Sequence, residues 1–593
     1  MQQFKAVRQA LAAKQLDALL LPRSDAYLNE DLAPADERLR WLTGFTGSQG
    51  LAVLTRHRAA LLVDGRYHEQ AEQECGGVLE VLGDGDDALF AWLASAFPHG
   101  GVIGCDATLH SAAELARWQA RARALRLELH ALASNPLDAC WLQRPSAPAS
   151  PVVPQSLAWA GQGAADKLAQ LTGRLRASGC CALWLPAPDM LAWLLNVRGQ
   201  DIAIAPLPFS SGLLHCDGTL DWFIDEQRLQ LPWDWLPPSV AIHPPEAAQQ
   251  LWRLLAAREC RKIWVDPALS TAASVKQLRE AGCELHEAAH PLPLLRACKQ
   301  PAELAGCREA HRLDGLALCR FLYQFDQQRA SFLGQSELFV AAELEGHRQR
   351  SADYRGASFD TIAATGANGA MPHYLPKPGE AARLSRGQLL LIDSGGQYPQ
   401  GTTDVTRVLP CGTPTARQRF LYTLVLRAHI ALASSRFPRG TGGMTLDTIA
   451  RQVMWREGLD YDHGTGHGVG SYLQVHEGPQ RIARHASATP LQPGMVTSIE
   501  PGVYLPGELG IRIENLYEVV ACAERPGYLE FRVLTLAPLE PTLIDRKALN
   551  AAELAWLQAY HVQVYQRLAA DLEPEVASWL ARQTGAAQSS AQR

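Results

Sequence analysis

The apolar positions change period along the chain, and the changes divide it. Phe4, Val7 and Leu11 recur at helical spacing. The unbroken apolar run Ala18-Leu19-Leu20-Leu21 follows and is closed by Pro22, as in a buried strand. Trp41-Leu42-Thr43-Gly44-Phe45 comes next, then a strand ending at Val63-Asp64. The same order returns further on: a helix around Leu168–Ala177, the run Ala182-Leu183-Trp184-Leu185 closed by Pro186, then Trp193-Leu194-Leu195 and Trp222-Phe223-Ile224-Asp225. Helix, strand, Trp-containing helix and strand, met twice, predict two similar α/β domains. The Pro- and Ser-rich stretch from Pro145 to Pro154 reads as an extended linker between them. Helical spacing through Glu303–Phe325 opens a third region of long strands and glycines that reaches about residue 535. Beyond it, Leu554, Leu557, Val564 and Leu568 share one side of a helix expected over Ala551–Ala570, and the end from Gly585 to Arg593 is expected to fray. The expected organisation is a first domain at residues 1–144, a linker at 145–154, a second domain at 155–295, a third region at 296–535 and an extension at 536–593.

Composition narrows the class. A chain of 593 residues holds several domains, and 47% hydrophobic content is globular. A net charge of −6 gives no ground for a nucleic-acid or anionic-membrane partner. No uncharged apolar run approaches the ~20 residues of a membrane span, and the charged first residues do not read as a signal peptide. Thirteen cysteines without a CxxC read as buried free thiols, the vicinal pair Cys180-Cys181 included, which fits a reducing cytoplasm.

Candidate chemistry gathers in the third region. Leu389-Leu390-Leu391-Ile392 is a short apolar strand that delivers Asp393 at its end, and Gly401-Thr402-Thr403-Asp404-Val405-Thr406-Arg407 follows. Two antiparallel strands joined through Gly395–Gln400 would bring Asp393 and Asp404 together, with Asp404 and Thr406 on one face. His463-Gly464-Thr465-Gly466-His467-Gly468-Val469-Gly470 holds too many glycines for a helix, and lacks the ending of a phosphate loop; its permissive backbone suits one histidine as a metal ligand. Val496-Thr497-Ser498-Ile499-Glu500-Pro501 puts Glu500 at a strand end. Ile511-Arg512-Ile513-Glu514 alternates, with Arg512 and Glu514 on the face opposite the isoleucines. Singly, each acidic group is most simply a turn residue or half of a solvated ion pair. Together, Asp393, Asp404, His467, Glu500 and Glu514 place four carboxylates and one imidazole in one β-rich segment, a charge that two divalent cations would neutralise. His373 and His476 stand in loop or strand positions; a lone histidine there is usually structural, and only beside a dinuclear metal site do the two become candidates for stabilising charge on a tetrahedral intermediate. His286-Glu287-Ala288-Ala289-His290 fits HExxH, but Pro291 and Pro293 follow at once, so a zinc-binding helix is not expected there.

These strings resemble aminopeptidase P, the Xaa-Pro aminopeptidase of the pita-bread metallopeptidases. The likeness is carried by Asp393-Ser394-Gly395, Thr402–Arg407, Gly464–His476, Glu500-Pro501-Gly502 and Ile511–Asn515. Leu294–Lys299 is similar to the entry of that family's catalytic domain, and Asp36-Glu37-Arg38 with Trp41–Gly47 to its first domain. The resemblance implies an α/β and α+β multidomain fold: two creatinase-like N-terminal domains, a pita-bread catalytic domain and a short C-terminal helical segment. It implies that Asp393 holds one metal, Asp404 and Glu514 bridge two, and His467 and Glu500 complete the coordination of the second metal. It implies that Glu500 shuttles a proton, that His373 and His476 hold the substrate carbonyl and the intermediate, that His463 lies by the proline, and that Arg38 reaches substrate from the first domain. Arg407 and Arg512 are expected to orient the carboxylates. The expected cofactor is two Mn²⁺ per subunit, with Zn²⁺ or Co²⁺ able to serve in vitro. The expected substrate is a peptide with proline second, cleaved by a homodimer. Prolidase, which takes only dipeptides, is the nearest alternative; a catalytically silent pita-bread binding module is the alternative from another class. Methionine aminopeptidase fits less well, because about 300 residues precede the catalytic region.

Overall fold

The strand Ala18–Pro22 is hydrogen-bonded on both edges, antiparallel to Leu51–Thr55 and parallel to Gly101–Asp106. Every residue of its Ala18–Leu21 run is buried, which is why the sequence shows no alternation there. The sheet around it runs Glu80–Gly83, Ala59–Val63, Leu51–Thr55, Ala18–Pro22, Gly101–Asp106, Leu127–Leu132. A second sheet runs Val240–His243, Leu220–Phe223, Ser211–His215, Ala182–Leu185, Lys262–Val265, Glu284–Glu287. The two sheets repeat the same directions in the same places: the central strand is antiparallel to one neighbour and parallel to the other, and each outermost pair is parallel. Each element of the duplicated order expected from the apolar pattern is therefore present in both copies. The hairpin partners of the central strands, Leu51–Thr55 and Ser211–His215, were not anticipated, since each reads locally as part of a neighbour's run.

The computed structural model describes residues 2–248, 250, 252–253, 261–486 and 488–586. They form two compact units, residues 1–157 with 162–292, and residues 158–161 with 293–593. Both sheets above belong to the first unit. Within the stretch 145–154, Val153–Pro154 pairs as a short extended strand with Val197–Arg198. Glu284–Glu287 is an edge strand of the second sheet, and His290 bonds the Trp184 carbonyl, so the HExxH string is no helix and its two histidines have separate surroundings. Twelve cysteines are described, and all are free. No described helix is long and apolar enough to cross a membrane. Of the tail expected to fray, residues 587–593 lie outside the described residues.

The second unit opens with the helix Pro301–Gln327, started by Pro301 in its first turn and by reciprocal hydrogen bonds between Gln300 and Glu303. Its core is packed from that helix, Ala416–Ala433, Gly443–Trp455, and the strands Leu389–Ser394, Val405–Pro410 and Asn515–Ala521. Leu389–Ser394 lies between Ile362–Thr365 and Val405–Pro410, antiparallel to both. A six-stranded sheet orders Arg436–Pro438, Tyr528–Val533, Asn515–Ala521, Val496–Ile499, Gly466–Gly468 and Glu477–Ile482. The tail helix spans Ala551–Leu568, and a second helix that the periodicity did not reveal, Pro574–Thr584, follows it.

Two histidines in this core must stay neutral. His429 sits between the Ile513 carbonyl and the Tyr517 hydroxyl, and burial, with help from the charge of Arg407, pulls its pKa from 6.5 to about 3. Burial likewise brings His561 to about 4. Below pH 6.5 the unfolded chain takes up protons that the folded chain refuses, so stability is full above that pH and falls as pH drops towards 3. Thermal melts from pH 7 to pH 4 are expected to show this loss. His429→Phe is expected to start lower at pH 7, through two lost hydrogen bonds, and to decline less steeply.

Candidate active site

Asp393 is the penultimate residue of its strand and faces Thr406 across the ladder. Directly paired residues share a face, and Asp404, two residues before Thr406, joins them there. The turn between the strands is tighter than expected: Gln397–Tyr398 pairs with Gly401–Thr402, leaving Pro399 and Gln400 to reverse the chain. From the other sheet, His467 is the middle residue of a three-residue strand held between Glu477–Ile482 and Val496–Ile499. Its glycine neighbours are forced by space. A Cβ on Gly466 would stand 2.1 Å from the Ser498 carbonyl oxygen, and one on Gly468 would stand 2.1 Å from that of Glu477. Glu500 leaves the strand Val496–Ile499, its N–H bonded to the Thr465 carbonyl. Glu514 lies between Leu509–Arg512 and Asn515–Ala521, and Ile499 pairs with Asn515, so both glutamates emerge at the same end of one antiparallel pair.

The ligand atoms of Asp404, His467 and Glu514 all lie within 4.8 Å of one another. Glu500 joins through His467, whose Nε2 is 3.5 Å from Oδ2 of Asp404 and 3.5 Å from Oε1 of Glu500. Nδ1 of His467 is 2.9 Å from the Gly468 carbonyl, which can only accept, so the proton sits there and Nε2 turns a lone pair towards the carboxylates. Asp393 joins through Arg512, which donates to Asp393 Oδ2 at 2.6 Å and to Thr406 Oγ1 at 3.2 Å; the Thr406 hydroxyl donates to Glu514 Oε2 at 2.8 Å. Arg512 and Glu514 are only 2% and 1% exposed, so their shared face is an interior and not a solvated ion pair.

The cluster carries more negative charge than the protein neutralises. Burial pushes the Asp393 carboxyl up to about 6 despite Arg512, with Asp404 adding to the rise. Burial, then the charges of Asp404, Glu500 and Asp393, hold Glu514 well above the ordinary carboxylate range. Glu500 is also raised by burial. Asp393 Oδ1, Asp404 Oδ1 and Glu514 Oε1 are buried without a hydrogen-bond donor. Buried acceptors are normally satisfied. Three orphaned carboxylate oxygens and an unprotonated imidazole nitrogen are the donor set that divalent cations require.

The expected histidines fall around this cluster. The His476 ring packs edge-on against His467, with centroids 4.4 Å apart. His373 is half-buried on the segment after Ile362–Thr365, and the Pro372 carbonyl beside it accepts from Arg512 at 3.2 Å. His463 bonds the Gly464 carbonyl through Nδ1 at 2.7 Å and the Tyr504 hydroxyl through Nε2 at 2.8 Å. Arg38 belongs to the first unit, where it bonds Asp138 at 2.7 Å and Asp36 at 2.9 Å. Arg407 differs from expectation. It touches no carboxylate; its guanidinium bonds the carbonyls of Thr406, Glu514, Ala537 and Pro538 and the Asn515 side chain. The reason is strand parity, since Arg407 alternates with Thr406 and points away from the acidic face. Thr406, Ser498 and Tyr504 were not singled out, although Ser498 bonds both the His467 N–H and Glu500, and Tyr504 accepts from Arg512 at 2.6 Å. The alternation of Asp404 and Thr406 was the one local sign of any of them. A cleft of about 370 Å³ also opens in the first unit, but Arg23, Asp64 and Asp86 in its wall are already ion-paired with Glu37, Arg66 and Arg117.

Comparison with known proteins adds to this geometry. Residues 305–521 match the model of Metallopeptidase family M24, and residues 527–587 that of the C-terminal region of peptidase M24. Residues 3–132 and 143–303 each match a Creatinase/Prolidase N-terminal domain. The chain is 34% identical over 624 residues to Aminopeptidase P1 of Arabidopsis thaliana, covering 96% of each. It is 37% identical over 599 residues to a probable Xaa-Pro aminopeptidase P of Verticillium alfalfae, covering 98% of each. Its fold is similar to the crystal structure of X-prolyl aminopeptidase from Caenorhabditis elegans, described as a cytosolic enzyme with a di-nuclear active site. That likeness has a TM-score of 0.92 and 32% identity and covers 98% of this chain and 99% of that one.

Proposed function

The chain belongs to the aminopeptidase P branch of metallopeptidase family M24, and from that premise we propose that it is a dinuclear-metal aminopeptidase. It hydrolyses the bond between an N-terminal residue and a penultimate proline and releases the first amino acid. The observation that carries this reading is the convergence of Asp404, His467 and Glu514 within 4.8 Å, with Glu500 and Asp393 linked to them and three carboxylate oxygens unsatisfied. Asp393, Asp404, His467, Glu500 and Glu514 would hold the two metals. When bound, these supply Lewis acidity and a water acidic enough to give a nucleophile at neutral pH. The oxygen-dominated donor set favours Mn²⁺, with Zn²⁺ or Co²⁺ serving in vitro.

The chain's own groups do the rest. Glu500, steadied by Ser498, takes the proton from the attacking water and passes it to the proline nitrogen as the C–N bond breaks. That nitrogen has no proton of its own in the peptide, because the bond before proline is a tertiary amide. His476 and His373 donate to the substrate oxygen as it gains charge. His463 has both ring nitrogens engaged, so towards the proline it offers its ring face and not a hydrogen bond. Arg38, the remaining candidate for substrate, is held by Asp138 and Asp36. The enzyme is proposed to work in the cytoplasm, in keeping with its free thiols, and as a homodimer.

The test is a pair of substrates offered to manganese-loaded protein, the tripeptide Arg-Pro-Pro and a Xaa-Pro dipeptide. Release of free arginine from the tripeptide is expected. Cleavage of the dipeptide alone would make the protein a prolidase, and cleavage of neither would make it a silent binding module.

A further inference from the structure

Glu337 is fully buried, at 0% exposure, at the start of the helix Glu337–Arg348. A buried carboxylate usually has a cationic partner, and no described lysine or arginine forms an ion pair with this one. It accepts instead from four neutral donors: the N–H of Thr365 at 2.7 Å, the amide of Asn368 at 3.0 Å, the hydroxyl of Tyr374 at 2.8 Å and the N–H of Ala382 at 2.8 Å. All four lie on residues 365–382, the segment that carries His373. They bracket that histidine, with Tyr374 immediately after it and Asn368 five residues before.

The same segment is fastened on its other side to the acidic cluster. The Pro372 carbonyl accepts from the Arg512 guanidinium that grips Asp393. Gly369 lies so near Gly510 that a Cβ on Gly510 would stand 1.6 Å from the Gly369 carbonyl oxygen. The segment therefore has one anchor in Arg512 and Gly510 and one in Glu337, with His373 between. Desolvating an ionised carboxylate against neutral donors alone is costly, and its return is a single fixed path for this stretch of chain.

We propose that Glu337 is a positioning residue for the peptidase reaction: it acts through residues 365–382 to hold His373 against the metal cluster. The proposal rests on the assignment of His373 to the substrate carbonyl given above. The manganese enzyme cleaving Arg-Pro-Pro is the starting point, and if it cleaves nothing the assignment of function fails and not this proposal.

The experiment is a double-mutant cycle of Glu337→Gln and His373→Ala, with kcat, KM, metal content and melting temperature measured for each protein. Glutamine keeps the volume of Glu337 but turns a donor towards groups that also donate. Glu337→Gln is expected to lower kcat roughly tenfold or more, as small displacements of positioned groups do, with little change in KM and with metal content intact. In the His373→Ala background the same change is expected to cost less than about twofold, because the group it positions is gone. Tyr374→Phe, which removes one donor and leaves the carboxylate, is expected to give a smaller loss in the same direction, and it carries the test if Glu337→Gln does not fold. An unchanged kcat, or an equal loss in both backgrounds, overturns the proposal.

Discussion

Asp404→Ala is expected to abolish amino-acid release while leaving the fold in place. Asp404 is the residue on which the cluster converges: it lies within 4.8 Å of the ligand atoms of both His467 and Glu514, and its Oδ1 has no other partner. Changes one layer out from a metal typically cost about 10- to 100-fold, so removal of a residue in the metal-holding set should exceed that, to on the order of a thousandfold or beyond measurement. Elemental analysis should show fewer than two metals per chain. The electrostatics give a second, opposite readout. Asp404 is among the charges that hold the Glu514 and Asp393 carboxyls above their ordinary range. Deleting it relieves that repulsion, so the chelator-treated variant should melt no lower than chelator-treated parent. Unchanged turnover in the variant would refute the metal assignment. A collapse of the chelated variant's stability would contradict the account of charge crowding.

The second large effect is on stability. Glu477 forms ion pairs with Lys299 and, at 3.0 Å, with Arg296, and all three side chains are at least 95% buried. Glu477 directly follows His476, and its backbone pairs with Gly468 beside His467. Glu477→Ala strands two buried cations, a change that typically costs about 3–5 kcal/mol. Urea unfolding should show this as a lower midpoint. The variant that remains folded should also lose turnover, because the strand end that presents His476 is freed. Replacing all three by apolar residues of similar volume should recover much of the stability, since desolvation of the ions is removed along with their attraction. If Glu477→Ala matches the parent midpoint, the cluster does not hold this strand.

Asp393 and Glu500 were legible because strand ends show in sequence: an apolar run stops, a glycine or proline follows, and the carboxylate stands between; Asp404 and Glu514 showed through alternation along their strands. The HGTGHGVG string was legible too, since its glycines exclude a helix. The supporting contacts were not. Glu477 meets Lys299 across 178 positions of chain and Glu337 meets Ala382 across 45. In sequence each is a lone charge near a loop, and nothing local distinguishes a buried charge from a solvated one. Arg407 shows the limit within a readable motif. Its neighbours Asp404 and Thr406 face the cluster, and parity alone would have placed the arginine on the other side. The duplicated sheets were visible because buried central strands are the most conspicuous apolar runs. Their hairpin partners and the helix Pro574–Thr584 needed the tertiary structure.

The two six-stranded sheets of the first unit keep one order and one set of directions although their residues differ. One wiring diagram is built there from two different sets of side chains. A plan that two unlike sets of side chains can build is held by its buried strands, and the rims add little to it. The natural place to look for divergence between relatives of this protein is therefore the loops at the strand tips, where novelty does not unravel the parent plan.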